Sequence, residues 1–169
     1  MKKLTFLLLA VFMLQFSLVS AASAKDSLAN GETLAAGQQL TSNDGRFFLK
    51  MQTDGNLVLY TSSGQSYWST STNKATIRIY DPFCGCTRVR TADKLVLEGG
   101  SLVIKIVQNP VWRSDNLAFS KMWYQGTNQP LPANLYGDKL IMQDDGNLVL
   151  YNTTSGSWYP VWASHTGGR

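Results

Sequence analysis

The chain has 169 residues, hydrophobic residues at 44% of positions and a formal net charge of +4. That length supports one domain with a substantial core, and the small charge gives no argument for binding nucleic acid or an acidic membrane. Two cysteines and one histidine supply too few ligands for a typical metal site, so neither a metal nor another cofactor is predicted.

Residues 1–24 have the pattern of a secretory signal peptide. Lys2 and Lys3 precede an apolar run at 4–19, and Ala22-Ser23-Ala24 is a small-residue cleavage site. A membrane anchor is the alternative, but the run is short for a spanning helix and ends in the cleavage site. We therefore predict a secreted protein that does not span a membrane, with a mature domain at 25–169 and a formal charge lowered from +4 to +2 by loss of the two lysines.

Residues 51–60 return at 142–151 with one change, Thr53 against Asp144. A tryptophan follows each copy, and a third tryptophan follows the segment 95–105, which has a similar apolar pattern. Repetition of this kind indicates a fold built from copies of one unit. We therefore predict three units within one domain, at about 45–72, 92–116 and 138–166.

Each unit is predicted to contain three β-strands. Strand-forming residues flank Asp54-Gly55 and Asp145-Gly146, which are strong hairpin-turn signals. No segment combines helical spacing with caps, and 126–132 has the composition of a loop, so the fold class is predicted to be all-β. The three trailing tryptophans are expected to meet in the core near a central axis, although a sugar-stacking surface is the alternative; they are Trp68, Trp112 and Trp162.

The repeated strings contain hydrogen-bonding residues that a core does not need. On one strand Asn56, Val58 and Tyr60 share a face, with Gln52 across the hairpin and Asp54 in the turn. Amide, carboxylate and phenol groups suit neighbouring sugar hydroxyls, and the valine suits the ring carbons. Asp and Asn are also common in hairpin turns without any ligand, but Gln and Tyr add little to a turn. Two carbohydrate sites are therefore predicted, the second formed by Gln143, Asp145, Asn147, Val149 and Tyr151.

The middle segment is predicted to keep the strand pattern and to lose the site. Its apolar residues match those of the two outer copies when Gly100 is aligned with Gly55. In that alignment the Gln, Asp, Asn and Tyr positions hold Leu97, Gly99, Ser101 and Lys105. Two working sites are therefore expected rather than three.

The pattern Gln-x-Asp-x-Asn-x-Val-x-Tyr resembles the sugar-binding signature of the bulb-type (monocot mannose-binding) lectins, and both outer copies match it fully. The resemblance extends to the opening segments at 31–47 and to the closing 162–168. It implies a β-prism II fold, with three four-stranded antiparallel sheets around a pseudo-threefold axis. It also implies that Asp and Asn bind the mannose 2-hydroxyl, Gln the 3-hydroxyl and Tyr the 4-hydroxyl, while Val contacts the ring and no metal takes part.

The resemblance further implies binding of mannose or mannose-rich glycans and a homodimer formed by exchange of C-terminal strands, here the residues after Val161. The cysteines depart from the family, whose usual disulfide starts from a cysteine in the signature turn. That position is Gly55 or Gly146 here, and Cys84 and Cys86 are left to pair with each other or between chains. Additional chain is expected near 73–91 and 117–137.

Two other classes of function compete with sugar binding. An enzyme is not predicted, because the single histidine, His165, has no nucleophile motif, and Asp54 and Asp145 lie in separate copies whereas glycosidase carboxylates lie within about 10 Å of each other. The remaining alternative is a β-prism that acts by protein contact, such as a bacteriocin-like toxin, an inhibitor or a taste-active protein. Asn152-Thr-Thr154 is in addition a glycosylation sequon.

Overall fold

The computed structural model describes residues 25–154 and 156–168, so the predicted signal peptide lies outside the described residues. The elements in chain order are β1 (Ser27–Ala29), β2 (Thr33–Ala35), β3 (Gln39–Thr41), β4 (Phe47–Met51), β5 (Leu57–Thr61), β6 (Ser66–Ser69), β7 (Thr76–Asp81), β8 (Cys86–Thr91), β9 (Lys94–Glu98), β10 (Ser101–Ile106), β11 (Asn109–Arg113), α1 (Asn116–Gly126), β12 (Lys139–Met142), β13 (Leu148–Asn152) and β14 (Tyr159–Ala163).

Twelve of these strands form three antiparallel four-stranded sheets, which confirms the predicted architecture. Sheet one has the order β3-β4-β5-β6, sheet two β2-β9-β10-β11 and sheet three β1-β12-β13-β14. The three consecutive strands of each sheet come from one repeat unit, while the fourth comes from the opening segment 27–41, which supplies one strand to every sheet. The start of the folded chain thereby ties the three repeats together.

Each sheet carries one cross-strand row of aliphatic residues that ends in a tryptophan. In sheet one the aligned residues are Leu40, Leu49, Leu59 and Trp68. The aliphatic members of this row have 0% exposure, because alternation along each strand turns these positions toward the centre of the molecule. The corresponding rows are Leu34, Leu95, Ile104 and Trp112 in sheet two and Leu28, Leu140, Leu150 and Trp162 in sheet three.

The three tryptophans meet edge to face, as the sequence predicted. Their ring centroids are 6.4 Å apart for Trp68 and Trp112, 5.8 Å for Trp68 and Trp162, and 6.0 Å for Trp112 and Trp162. Separations of this size and near-perpendicular planes suit the charge distribution of aromatic rings. The register also shifts by one residue beside each tryptophan, so the same β-bulge occurs three times around the axis.

One helix departs from the prediction that no helix would form. Helix α1 occupies the first part of the additional chain expected near 117–137, and the Asp115 side chain accepts a hydrogen bond from the Ala118 amide at 2.9 Å as its N-cap. Its buried face rests on β14, where Ser120 donates to the Val161 carbonyl at 3.2 Å. No helix in the described part of the chain is long and apolar enough to cross a membrane.

The segment near 73–91 forms a separate two-stranded hairpin, in which β7 pairs with β8. The structure joins Cys84 to Cys86 by a disulfide in the turn of this hairpin. Of the two pairings left open by the sequence, the bond within one chain is the one formed.

Removal of a tryptophan from the cluster should lower the stability of the protein much more than removal of an exposed tryptophan. Trp162→Ala removes a side chain with 8% exposure from the cluster, and we expect a loss of about 3–5 kcal/mol in the free energy of unfolding. Trp158→Ala removes a tryptophan with 54% exposure and should cost about 1 kcal/mol or less. Urea denaturation followed by circular dichroism measures both, and equal losses would contradict the central role of the cluster.

Candidate functional site

The first site occupies the outer face of sheet one. Leu57 and Leu59 point into the core with 0% exposure, so the alternate residues Asn56, Val58 and Tyr60 lie on the other face, as the sequence predicted. Gln52 lies across the hairpin, since its backbone N–H donates to the backbone carbonyl of Asn56 at 2.8 Å. A cleft of about 490 Å³ is lined by these four outward residues and by β6.

The polar groups of the first site hold one another in position. Gln52 Nε2 donates to the Tyr60 hydroxyl at 2.7 Å, and Asp54 Oδ1 accepts from the backbone N–H of Asn56 at 3.0 Å. Asn56 Oδ1 accepts from the Thr70 hydroxyl and from the Thr72 amide, both at 3.2 Å. The side chains are therefore preorganised by contacts within the protein.

These contacts leave one donor or acceptor group of each of the four polar side chains unused. Gln52 Oε1, Asp54 Oδ2, Asn56 Nδ2 and the Tyr60 hydroxyl hydrogen have no hydrogen-bond partner among the described residues. No buried side-chain nitrogen or oxygen in the described chain lacks a partner, so these groups are open to solvent or ligand. They offer two acceptors and two donors, and Val58, with 4% exposure, forms an apolar floor beside them.

The second site repeats this arrangement on sheet three. Gln143 Nε2 donates to the Tyr151 hydroxyl at 2.8 Å, and Asp145 Oδ1 accepts from the backbone N–H of Asn147 at 2.8 Å. Asn147 Oδ1 accepts from Ser164 and Thr166 at 3.2 Å, while Val149 has 3% exposure. All five predicted residues of each copy are thus brought together, with the same internal bonds.

The surroundings of the second site differ from those of the first. Trp158, 54% exposed, lies beside Tyr151 with ring centroids 5.9 Å apart, and Lys139 Nζ lies 4.8 Å from the indole centroid. The C-terminal segment also borders this site, because a Cβ added to Gly167 would lie 2.7 Å from Asp145 Oδ2. Trp158 has no counterpart in the other repeats, so the repeat pattern gives no signal for it.

The one difference between the two decapeptides has a structural cause. Asp144 Oδ1 accepts from the Asp44 amide at 3.0 Å, and its carbonyl accepts from Arg46 at 2.5 Å, so this aspartate ties the sheet-three turn to sheet one. Hydrogen bonds from the Arg46 backbone and side chain lower the pKa of Asp44 to about 2. Thr53, the residue at this position in the first copy, is exposed.

The strand register of sheet two shows that the alignment of the middle segment with the two outer copies is wrong by one residue. Leu97 is fully buried and pairs with Leu102 as Met51 pairs with Leu57, so it does not occupy the Gln position. Glu98 does, because it pairs with Ser101 in a turn one residue shorter than that of the outer copies. The ungapped alignment missed this deletion.

An ion pair in sheet two stands where the outer sheets have a Gln–Tyr hydrogen bond. Lys105 Nζ lies 2.6 Å from Glu98 Oε1 and 2.8 Å from Oε2. The two charges neutralise each other. The turn beside them, Gly99-Gly100, has no carboxylate or amide side chain. The arrangement of groups described for the outer sites is therefore absent from this sheet.

The carboxylates of the two sites lie on different sheets, and the asparagine of the sequon is buried. Asp54 and Asp145 lie in the turns of two different sheets. Asn152, in the sequon, has 0% exposure and donates from Nδ2 to the Tyr136 carbonyl at 2.7 Å, so a glycan on this nitrogen is incompatible with the folded chain. The part of the chain that the structure describes contains no group of three or more His, Cys, Asp or Glu side chains arranged to hold a metal ion.

Comparison with known proteins identifies relatives of this chain. The mannose-specific lectin TAR1 of Colocasia esculenta is 32% identical over 198 aligned positions, covering 99% of this chain and 82% of that protein. A monomeric monocot mannose-binding lectin structure from Gastrodia elata has a TM-score of 0.56 and 26% identity, and a Polygonatum cyrtonema lectin complexed with monomannoside has 0.50 and 25%. Each match covers 85% of this chain and 99% of the other. No family model matches the chain.

Three four-stranded sheets that meet at a tryptophan cluster define a β-prism II lectin fold. Together with the full-length relative, they show that this chain belongs to the family of bulb-type, monocot mannose-binding lectins. The resemblance seen in the two decapeptides is therefore confirmed.

Glycine at the signature turn is required by two separate constraints. Gly55 has φ +90° and an added Cβ would lie 2.9 Å from the Ala92 amide nitrogen of the neighbouring unit, whereas Gly64 has φ +86° with open space around an added Cβ. Gly64→Ala should therefore cost only the strain of the left-handed backbone, about 1 kcal/mol. Gly55→Ala should cost at least about twice as much, because backbone atoms must also shift. Urea denaturation compares the two, and equal costs would refute close packing of the turn.

Proposed function

We propose that this protein is a lectin that binds mannose and mannose-rich glycans through two pockets. The first pocket comprises Gln52, Asp54, Asn56, Val58 and Tyr60, and the second Gln143, Asp145, Asn147, Val149 and Tyr151. The observation that carries the proposal is the matched set of two unused acceptors and two unused donors around a valine at each site. The names of relatives in the family, which specify mannose or a monomannoside, support the choice of sugar.

A sugar ring suits these groups because its neighbouring hydroxyls both donate and accept hydrogen bonds. The Asp carboxylate provides the strongest acceptor, and the side chains lose little freedom on binding because internal hydrogen bonds already hold them. The net gain remains small, since each bond to the sugar replaces a bond to water. Two weak sites in one chain would act together on a surface that carries many mannose groups.

Binding rather than catalysis follows from the same arrangement. The carboxylates Asp54 and Asp145 belong to separate sheets, whereas glycoside hydrolysis uses two carboxyl groups that flank one bond. Each pocket therefore holds a single carboxylate among hydrogen-bonding groups. The same reasoning applies to both pockets, and we propose no enzymatic activity.

Isothermal titration with methyl α-mannoside tests the proposal. Asp54→Asn and Asp145→Asn keep the Oδ1 acceptor that caps the turn and replace the charged Oδ2 acceptor. Each variant should lose binding at one site by about 1.5–3 kcal/mol, roughly 10- to 100-fold, so the stoichiometry falls from two sites to one. The double variant should show no heat.

Glu98→Gln is the matched control, because it alters the corresponding position of sheet two and should leave both sites intact. Absence of heat from the unaltered protein would refute sugar binding and favour a β-prism that acts by protein contact. Full binding by the double variant would place the sugar elsewhere.

We also propose export of the chain, with cleavage after Ala24, and dimerisation by exchange of the C-terminal residues after Val161. Within one chain Trp162 and Ala163 of β14 already pair with β13, so the exchanged residues would make the same pairs with a partner. Mass spectrometry of the exported protein should give an N-terminus at Lys25, and sedimentation should give twice the chain mass. An uncleaved leader would refute the first proposal, and a monomer the second.

A further inference from the structure

The hairpin β7–β8 stands apart from the three sheets. Its strands pair only with each other, and none of the residues 76–91 is buried. A lone two-stranded hairpin is marginally stable in water, so its ends must be secured. At the base Ile77 packs against the main core, and at the tip the disulfide of Cys84 and Cys86 closes the turn.

The tip of the hairpin presents an aromatic residue to solvent. Phe83 has 100% exposure, and its amide donates to Asp81 Oδ1 at 3.0 Å, which fixes the backbone of the turn. Tyr80 and Val89, just behind the tip, have 64% and 60% exposure. Apolar area grouped in this way is unfavourable in water and typically marks a surface that docks on something.

Basic side chains form a band behind this tip. The segment 76–91 contains one acidic residue, Asp81, and three arginines, which are Arg78, Arg88 and Arg90. Of these arginines only Arg88 forms an ion pair, with Asp81 at 3.0 Å. Neither of the other two arginines has an acidic partner among the described residues. The hairpin therefore carries a local excess of positive charge that the low net charge of the whole chain conceals.

The distribution of apolar side chains distinguishes a lipid surface from a protein partner. Consecutive strand residues point to opposite faces, so Ile79 lies on one face, while Tyr80 lies on the other together with Val89, the cross-strand partner of Arg78. A flat protein surface would cover only one of these two faces, whereas the boundary between lipid headgroups and acyl chains surrounds the tip on every side.

The spacing of aromatic and basic residues also fits a lipid surface. At about 3.3 Å per strand residue, the arginines lie roughly 7–13 Å behind the turn. A tip that enters the headgroup boundary to a depth of about 5–10 Å would leave the guanidinium groups at the level of the phosphates. Deeper entry is unfavourable, because both outer edges of the hairpin have unpaired backbone groups.

We propose that this hairpin binds membranes rich in anionic phospholipid, with Phe83 in the headgroup region and the arginines on lipid phosphates. The site is independent of the two proposed mannose pockets. It would bring the sugar sites to a lipid surface and orient them there.

Sedimentation with sugar-free vesicles tests the proposal on purified protein from which the leader has been removed. The protein should bind vesicles made from an equimolar mixture of phosphatidylglycerol and phosphatidylcholine, and should not bind vesicles of phosphatidylcholine alone. It should be released from the mixed vesicles as the salt concentration rises. Phe83→Ser should weaken binding about tenfold. Arg78→Gln and Arg90→Gln should each weaken it about fivefold.

Met122→Ser and Lys121→Gln on α1 are matched controls, since Met122 has 57% exposure and Lys121 is exposed; both should leave vesicle binding unchanged. Mannose titration and the thermal midpoint of each variant separate this proposal from the function of the pockets and from misfolding. Lack of binding to anionic vesicles, equal binding to phosphatidylcholine alone, or binding unaffected by the hairpin variants would overturn it. Retention on an immobilised protein that requires Phe83, without vesicle binding, would identify a protein interface instead.

Discussion

The edge-to-face contact of Trp68, Trp112 and Trp162 is the interaction on which the rest of the molecule depends. Each tryptophan ends a row of aliphatic side chains that crosses a whole sheet, so the cluster joins three separate apolar layers into one core. A sheet with one apolar face is stable only when that face is covered. Here each sheet covers the other two, and every outward face remains available for polar residues.

Site geometry follows from this packing. The buried rows fix the register, and a shift of one residue would turn the outward residues into the core. The two signature turns are closely packed across sheet boundaries, because a Cβ added to Gly55 would lie 2.9 Å from Ala92 and one added to Gly146 would lie 2.9 Å from Phe47. Both turns therefore pack against a neighbouring unit, which links the precision of each site to assembly of the whole prism.

Much of the fold and of the candidate sites was predictable from the sequence, because the repeated segments can be compared with one another. Polar residues retained in two copies predicted two matched clusters of side chains, which the structure brings together, and the tryptophans that follow the repeats predicted the cluster at the axis. The one-residue deletion beside Gly99 was not predicted, because the apolar residues of β9 align almost as well one residue out of register. Helix α1 was missed because tertiary contacts of Phe119 and Ser120 stabilise it more than its weak pattern does. Local patterns cannot reveal that the segment 27–41 completes three distant sheets.

The central proposal is that sheets one and three bind mannose while sheet two does not. A crystal structure of the protein with methyl α-mannoside tests it most directly. We predict one sugar against Asn56 and Tyr60, a second against Asn147 and Tyr151, and none beside the Glu98–Lys105 ion pair. Sugar bound at the middle sheet, or at neither outer sheet, would contradict it.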